Sequence, residues 1–168
     1  MLRWILFVVG GLVLVVVVLV VVGYLLPVAH VAASETHVDR TPAEVFATIT
    51  DVAHYPEWRP DVSRVRVLGE APTRWVESGT NGDIAYEIEE SHTPREVRTR
   101  ITDRSLPFGG SWTYELTPSG SGTLVRITER GEVYNPIFRV LSRFVFGHTA
   151  TLDAYLAALA RRASVPKS

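Results

Sequence analysis

The chain has 168 residues, no cysteine and a formal net charge of −1 at pH 7. This length suits one globular domain with one further element. The lack of cysteine excludes disulfides and thiolate metal sites. A net charge close to zero provides no global basic field for nucleic acid, so we expect no nucleic-acid partner.

An uncharged apolar run opens the chain, from Trp4 to Leu26. A helix of this length measures about 34 Å, slightly more than the hydrocarbon core of a bilayer. Trp4 and Tyr24 lie near its ends, where interfacial aromatic residues are typical, and Pro27 can end the helix. We therefore predict a transmembrane anchor over residues 1–27.

A cleaved signal peptide is the alternative, because residues 31–33 are small enough for a cleavage site. The apolar run is longer than a signal-peptide core of about 7–15 residues, which favours an uncleaved anchor. Arg3 precedes the run, whereas Glu35 and Asp39 follow it. The positive-inside rule then predicts a single-pass membrane protein with its N-terminus in the cytoplasm and its domain outside.

We divide the rest of the chain into a linker over residues 28–33, one domain over residues 34–163 and a frayed tail over residues 164–168. A first strand leads into Thr41-Pro42-Ala43-Glu44, where Thr41 is a plausible N-cap and Glu44 stands at capping-box spacing. A short helical or turn segment broken by prolines follows.

From Val62 to Val133 the apolar period is two, which indicates about six β-strands. Turn signals such as Pro94 and the Ser-Gly repeat at 119–122 separate them. Acidic residues on one strand face basic residues on the next, as expected for cross-strand pairs on an outward face. We expect an antiparallel sheet with one apolar face.

The chain then returns to a helical period. Asn135 is a predicted N-cap and Pro136 fits the first helical position. We predict one long amphipathic helix that covers the apolar face of the sheet. Its apolar stripe consists of Ile137, Leu141, Phe144, Val145, His148, Leu152, Tyr155, Leu156 and Leu159.

This order of elements resembles the helix-grip fold of the SRPBCC superfamily, which includes START domains and polyketide cyclase/dehydrase-like proteins. The strings Arg40-Thr41-Pro42-Ala43-Glu44-Val45-Phe46 and Tyr55-Pro56-Glu57-Trp58 are similar to segments common in that superfamily. The resemblance covers about residues 34–160. It implies an α+β fold in which a curved antiparallel sheet wraps around a long C-terminal helix, here preceded by one transmembrane helix. It also implies an apolar ligand in the cavity between sheet and helix.

His148 is the first candidate for a catalytic role. It lies on the helical stripe, one turn from Phe144 and one turn from Leu152. In a helix-grip fold this face looks into the cavity, where an imidazole can act as an acid or a base. The alternative is a core histidine that is hydrogen-bonded to a strand, as buried polar groups usually are.

Glu129 is the second catalytic candidate. Strict alternation places it on the same face of the last strand as Ile127 and Gly131. A carboxylate in an apolar row needs a cationic partner, for which His148 and Arg139 are available. The alternatives are a bulge that turns Glu129 to solvent and an edge position near the end of the sheet.

The inward-facing aromatic residues are candidates for a ligand site or for plain core. Ligand pockets are mostly apolar with a few polar groups, and we expect one of a few hundred cubic ångströms. The predicted ligand-binding residues are Trp75, Tyr86, Trp112, Tyr114, Phe144, His148 and Leu152. The histidines lack metal-ligand spacing, and no dinucleotide, phosphate-loop or nucleophile-elbow motif occurs. We expect neither a metal site nor a cofactor.

Our leading hypothesis is membrane-tethered binding of a hydrophobic small molecule or lipid in a cavity between the sheet and the C-terminal helix. The partners are then this ligand and the membrane. The alternative is an enzyme of the polyketide cyclase/dehydratase type. A second alternative is a non-catalytic interaction module whose interior is filled by its own aromatic side chains.

The apolar run generates a first prediction. The full-length protein should fractionate with membranes and stay there after an alkaline wash, because a run of this length and composition favours the lipid phase. Immunoblotting of the washed pellet and N-terminal sequencing of the protein from cells provide the measurement. A mature protein that begins near Ser34 would contradict the anchor.

Overall fold

Seven antiparallel strands form a single sheet in the computed structural model, which describes residues 2–70, 72–80, 82–143 and 149–164. A long helix precedes the sheet, short helices follow its first strand, and two helices follow its last. The elements in chain order are α1 (Leu2–Leu25), β1 (Ala29–Val38), α2 (Pro42–Thr50), a 3-10 helix (Val52–Glu57), β2 (Val62–Glu70), β3 (Thr73–Gly79), β4 (Gly82–His92), β5 (Glu96–Ile101), β6 (Phe108–Ser119), β7 (Gly122–Val133), α3 (Pro136–Leu141) and α4 (Ala150–Ser164).

The strands from β2 to β7 lie in the sheet in chain order, and β1 pairs with β7 at the edge. Short connections join the six consecutive strands, which is how antiparallel neighbours are usually linked. The β1–β7 ladder runs from Ala29 opposite Glu132 to Val38 opposite Thr123. The first and last strands of the domain are therefore held together over the whole length of β1.

The core lies between the inner face of this sheet and the helices α2 and α4. The alternation predicted for the strands is confirmed, because the apolar positions of β5, β6 and β7 are buried together. This arrangement confirms the predicted α+β helix-grip fold. The buried residues of this core include Val45, Phe46, Ile49, Val97, Leu116, Val125, Ile127, Leu152, Tyr155, Leu156 and Leu159.

Local signals in the sequence are also confirmed. Thr41 caps α2, since its side chain accepts from the Glu44 amide while the Glu44 carboxylate accepts from the Thr41 amide. On the outward face of the sheet, Arg100 Nε lies 2.6 Å from Glu87 Oε1 on the neighbouring strand. The predicted cross-strand ion pairs therefore exist.

The structure differs from the sequence analysis at residues 28–33, which were predicted as a linker. Strand β1 begins at Ala29 and pairs with β7 from that residue onwards. Only three residues thus separate the end of α1 at Leu25 from the start of the sheet. The division into domains otherwise stays a prediction.

The predicted helical stripe also divides into two parts. The C-terminal helix that packs on the sheet is α4, whereas α3 is a separate short helix that contacts α1. Ile137, the first residue of the predicted stripe, is exposed. Phe144, Val145 and His148 lie outside the described residues.

Helix α1 contains a stretch, Leu6–Leu25, that is long and apolar enough to cross a membrane. A signal sequence near an N-terminus meets the same criterion. The orientation of the chain relative to a membrane therefore stays a prediction.

Where α1 ends, α3 packs closely against it. A side chain at Gly23 would collide with the backbone carbonyl of Pro136, so only glycine permits this approach. The buried Arg139 side chain joins the two segments. Its Nη1 atom donates to the carbonyl oxygens of Gly23, at 2.9 Å, and Leu26, at 3.2 Å.

The same guanidinium also bonds to the segment that enters α3. Arg139 Nε donates to the Val133 carbonyl at 2.7 Å, and Nη2 donates to the Tyr134 carbonyl at 2.8 Å. Arg139 is thus satisfied by backbone oxygens from both sides of the α1–α3 junction.

The early start of β1 generates a second prediction. A chain that begins at Val28 retains the complete β1 strand, whereas one that begins at Ser34 loses half of the β1–β7 ladder. Each lost hydrogen bond contributes about 1 kcal/mol, so the shorter chain should be several kcal/mol less stable.

Urea unfolding of the two truncated proteins, followed by tryptophan fluorescence, gives this difference. Both proteins lack α1, so each controls for its loss. Equal midpoints would contradict the assignment of residues 29–33 to the sheet.

Candidate ligand-binding site

A row of aromatic side chains crosses the inner face of the sheet. Trp75 on β3 stacks on Tyr86 of β4, with ring centroids 5.5 Å apart and planes inclined by 18°. Tyr86 in turn meets the edge of Trp112 on β6 at 6.0 Å. Trp75 is fully buried, whereas Tyr86 and Trp112 are only half-buried. The accessible part of the row is therefore its Tyr86–Trp112 end.

Glu129 on β7 lies beside that accessible end. It faces inward, opposite Trp112 in the ladder, and the Trp112 indole nitrogen donates to Glu129 Oε2 at 3.1 Å. On the other side, His30 Nε2 on β1 lies 3.3 Å from Glu129 Oε1. The carboxylate is thus held between an indole and an imidazole.

His30 is the partner of Glu129 that the sequence analysis did not identify. Of the two partners expected there, Arg139 binds backbone carbonyls instead, and His148 lies outside the described residues. The alternative of a bulge that turns Glu129 to solvent is wrong, because its register with β6 is regular and only 13% of its side chain is exposed. The alternative of an edge position is wrong too, because β7 lies between β1 and β6. Gly131 leaves room for the pair, since a side chain there would collide with the His30 ring.

A buried ion pair supports the other end of the row. Glu77 Oε1 accepts from Trp75 Nε1 at 2.9 Å and from Arg59 Nη1 at 3.0 Å. Arg59 also contacts Asp61 at 2.6 Å. Burial alone would lower the pKa of Arg59, but the Glu77 and Asp61 carboxylates more than offset it and raise the pKa. The guanidinium is thus charged and paired with two carboxylates.

Two tyrosine rings, Tyr55 and Tyr155, pack against the Arg59 guanidinium, and the ring of Tyr114 lies 5.4 Å from that of Tyr155. The charge lies 4.9 Å from the centroid of the Tyr55 ring and 5.3 Å from that of Tyr155, which is cation–π geometry. Burial raises the pKa of Tyr114 to about 12, and it raises the pKa of Tyr55 and of Tyr155 well above the ordinary value. These hydroxyls therefore stay neutral at physiological pH.

The hydroxyls of this group differ in their partners. Tyr55 donates to the backbone carbonyl of Ile49 at 2.6 Å. The Tyr155 hydroxyl, which is equally buried, has no hydrogen-bond partner of normal geometry among the described residues. A buried polar group without a partner is costly, and such groups often mark functional positions.

The predicted site residues fall into three groups. Trp75, Tyr114 and Leu152 are buried against protein side chains, Tyr86 and Trp112 are half-buried, and Phe144 and His148 lie outside the described residues. The sequence analysis missed His30, Arg59 and Glu77 as site residues. Only Glu77 carried a signal, because alternation on β3 places it on the same face as Trp75.

Two cavities formed by described residues lie elsewhere. An open groove of about 460 Å³ follows the β4–β5 turn at His92–Glu96. A cavity of about 20 Å³ lies at the α1–α3 junction, lined in part by Leu26, His30, Arg139 and Arg143. Neither is the predicted cavity between the sheet and the C-terminal helix.

One group of described residues has the spacing of metal ligands. Glu90, His92 and Glu96 at the β4–β5 turn offer ligand atoms within 4.8 Å of one another. The sequence analysis missed this group because the hairpin brings its members together. Its residues are largely exposed, and Glu90 already pairs with Arg98 at 3.3 Å.

Residues 29–164 match the family model described as polyketide cyclase / dehydrase and lipid transport, and the chain belongs to this family. The predicted SRPBCC membership is thereby confirmed. No curated protein matches the chain significantly. Family and fold together indicate binding of hydrophobic ligands or cyclase/dehydrase-like chemistry as the class of function.

Solved structures share the fold at low sequence identity. A START superfamily protein from Mycobacterium smegmatis is 16% identical, with a TM-score of 0.65, and the match covers 80% of this chain and 97% of that one. A truncated norcoclaurine synthase from Thalictrum flavum is 13% identical, with a TM-score of 0.68 and coverages of 83% and 96%. The di-domain ARO/CYC StfQ from the steffimycin biosynthetic pathway is 12% identical, with a TM-score of 0.66 and coverages of 81% and 51%.

The two tyrosine hydroxyls generate a third prediction. Tyr55→Phe should lower the free energy of unfolding by about 1–2 kcal/mol, because it leaves the Ile49 carbonyl unpaired. Tyr155→Phe keeps the ring and removes a hydroxyl that has no partner of normal hydrogen-bond geometry among the described residues, so it should cost less stability than Tyr55→Phe.

Denaturant unfolding of the full chain in detergent micelles gives both values, and each variant controls for the other. An equal loss in the two variants would show that the Tyr155 hydroxyl has a partner.

Proposed function

We propose that this protein is tethered to a membrane by α1 and binds a hydrophobic small molecule or lipid on the inner face of its sheet. The observation that carries the proposal is the half-buried Tyr86–Trp112 surface with the Glu129–His30 pair beside it. An apolar surface with a few polar groups is the usual composition of a small-molecule site. The family description, which names lipid transport, supports the same class of ligand.

In this proposal, different side chains contact the apolar and the polar parts of the ligand. Tyr86 and Trp112 offer aromatic surface to a planar or aliphatic ligand. Glu129 and His30 can orient one polar group of the ligand, such as a hydroxyl or a carbonyl. In this proposal Phe144, His148 and Leu152 supply the helical side of the site.

The buried residues give the site its rigidity. Trp75 cannot rotate freely, because it stacks on Tyr86 and its indole nitrogen is bonded to Glu77. Glu77 is in turn fixed by Arg59. We propose that Trp75 and Tyr114 act as the floor under the ligand rather than as direct contacts.

An enzyme of the cyclase/dehydratase type is the second candidate, and the Glu129–His30 pair favours it. A carboxylate and an imidazole within 3.3 Å can take a proton from one ligand atom and return it to another. Both side chains are partly accessible, so a ligand can reach them. If the pair is catalytic, the protein should turn over a substrate, and replacement of either Glu129 or His30 should abolish that turnover.

The fourth prediction tests the ligand and the polar pair together. Full-length protein that is purified in detergent should carry a hydrophobic small molecule or lipid, which native mass spectrometry detects as a mass shift. Glu129→Gln and Trp112→Ala should reduce the ligand-bound fraction several-fold, since each removes a group at the accessible end of the row.

Glu115→Gln is the matched control, because Glu115 lies on the outward face of the same sheet and is exposed. It should leave the bound fraction unchanged. Equal loss in Glu115→Gln would contradict the proposed site. A wild-type protein without any bound molecule would favour the non-catalytic interaction module instead.

A further inference from the structure

The end of α1 leaves backbone carbonyls that the helix itself cannot satisfy, and those of Gly23 and Leu26 are among them. In an α-helix the Gly23 carbonyl accepts from the amide of residue 27, and that residue is Pro27, which has no amide hydrogen. The last regular bond runs from the Leu26 amide to the Val22 carbonyl at 3.1 Å. Arg139 supplies the missing donors to Gly23 and Leu26.

This arrangement suits an environment without water. Unsatisfied carbonyls are costly in lipid, and an arginine is tolerated at membrane depth when backbone carbonyls pair with it. Its positive charge also complements the negative end of the α1 dipole. Arg139 also donates through Nε to the Val133 carbonyl and through Nη2 to the Tyr134 carbonyl, so all three of its nitrogens are hydrogen-bonded to backbone oxygens.

The position of α3 along α1 fixes its depth. The apolar stretch Leu6–Leu25 has 20 residues. A helix of that length is about 30 Å long and just spans a hydrocarbon core. Pro136 contacts α1 at Gly23, two residues before the end of this stretch. If α1 crosses the bilayer, α3 therefore lies at the edge of the same hydrocarbon layer.

The residues around this contact are apolar and exposed. We name the exposed apolar side chains at the junction the collar; the collar residues are Leu25, Val28, Tyr134, Ile137 and Phe138. Exposed apolar side chains grouped in this way usually mark an interaction surface. The collar continues directly from the apolar surface of α1, so whatever solvates the end of α1 also meets the collar.

We infer that the collar is a second membrane contact, with Ile137 and Phe138 of α3 inserted into the interfacial layer of the bilayer that α1 crosses. This inference rests on the tether of the proposed function and extends it. The small cavity at the junction is lined by both Arg139 and His30. The collar therefore faces lipid at the same end of the sheet as the Glu129–His30 pair, and a membrane-soluble ligand can approach the site from the bilayer.

The experiment measures depth at single positions. Because the chain contains no cysteine, single-cysteine variants carry a nitroxide label at one place only. Phe138→Cys and, independently, Ile137→Cys report on the collar, Leu14→Cys reports on the middle of α1, and Ser121→Cys reports on the distant β6–β7 turn. The full chain is reconstituted into phosphatidylcholine vesicles with some phosphatidylglycerol, and collision rates with oxygen and with a water-soluble nickel chelate are compared.

For each label we compare the ratio of the oxygen collision rate to the nickel-chelate collision rate. This ratio should be several-fold higher at residues 137, 138 and 14 than at residue 121. Gly23→Val should shift the residue 138 label towards water, because the new side chain collides with Pro136, whereas Gly10→Val should not, since nothing lies near Gly10.

The outcomes separate this inference from the tether. A lipid signal at residue 14 with an aqueous signal at residues 137 and 138 would overturn the collar and leave the tether intact. An aqueous signal at residue 14 would overturn both. Low collision rates with both reagents at residues 137 and 138 would indicate a protein partner and also overturn the inference.

Discussion

One arginine side chain holds together the segments that meet where α1 ends. Arg139 bonds to carbonyls of α1, of the connection after it and of the strand–helix connection between β7 and α3. Pro27 has no amide hydrogen, so the Gly23 carbonyl needs another donor. Gly23 has no side chain, which lets α3 approach closely enough for Arg139 to be that donor. β1 begins at Ala29, three residues after the Leu26 carbonyl that Arg139 binds, so this arginine lies directly beside the point where the edge strand of the sheet starts.

Among the described residues, two pairs of charged or polar side chains lie at the ends of the aromatic row, and they differ in their surroundings. Glu77 Oε1 accepts from both Arg59 and Trp75, so this buried pair stiffens the core around Trp75. Glu129 and His30 lie at the accessible end of the same aromatic row and retain partial contact with solvent. In the proposed function, the Arg59–Glu77 pair would hold the aromatic surface in place, and the Glu129–His30 pair would orient the polar group of an amphipathic ligand.

The sequence predicted the strands from β2 to β7 well because their inward and outward residues differ in polarity. β1 gave no such signal, since its inward positions include His30, Ser34 and Thr36 while Val31 points outward. The Glu129–His30 pair was therefore predicted only from its carboxylate. Arg59 lies in an irregular segment without a period, so no pattern could place it beside Glu77. The separation of α3 from α4 was missed because the apolar spacing continues through both helices.

The connection between α1 and β1 contains only residues 26–28. Arg139 donates to the Leu26 carbonyl at one end, and the Val133 amide donates to the Val28 carbonyl at the other, at 2.9 Å. Such a joint transmits rotation instead of absorbing it. A bilayer-spanning helix adapts to thinner or thicker membranes by changing its tilt. In the proposed tether, a change in the tilt of α1 would therefore turn the whole sheet with it, so that membrane thickness would set the angle at which the inner face is presented.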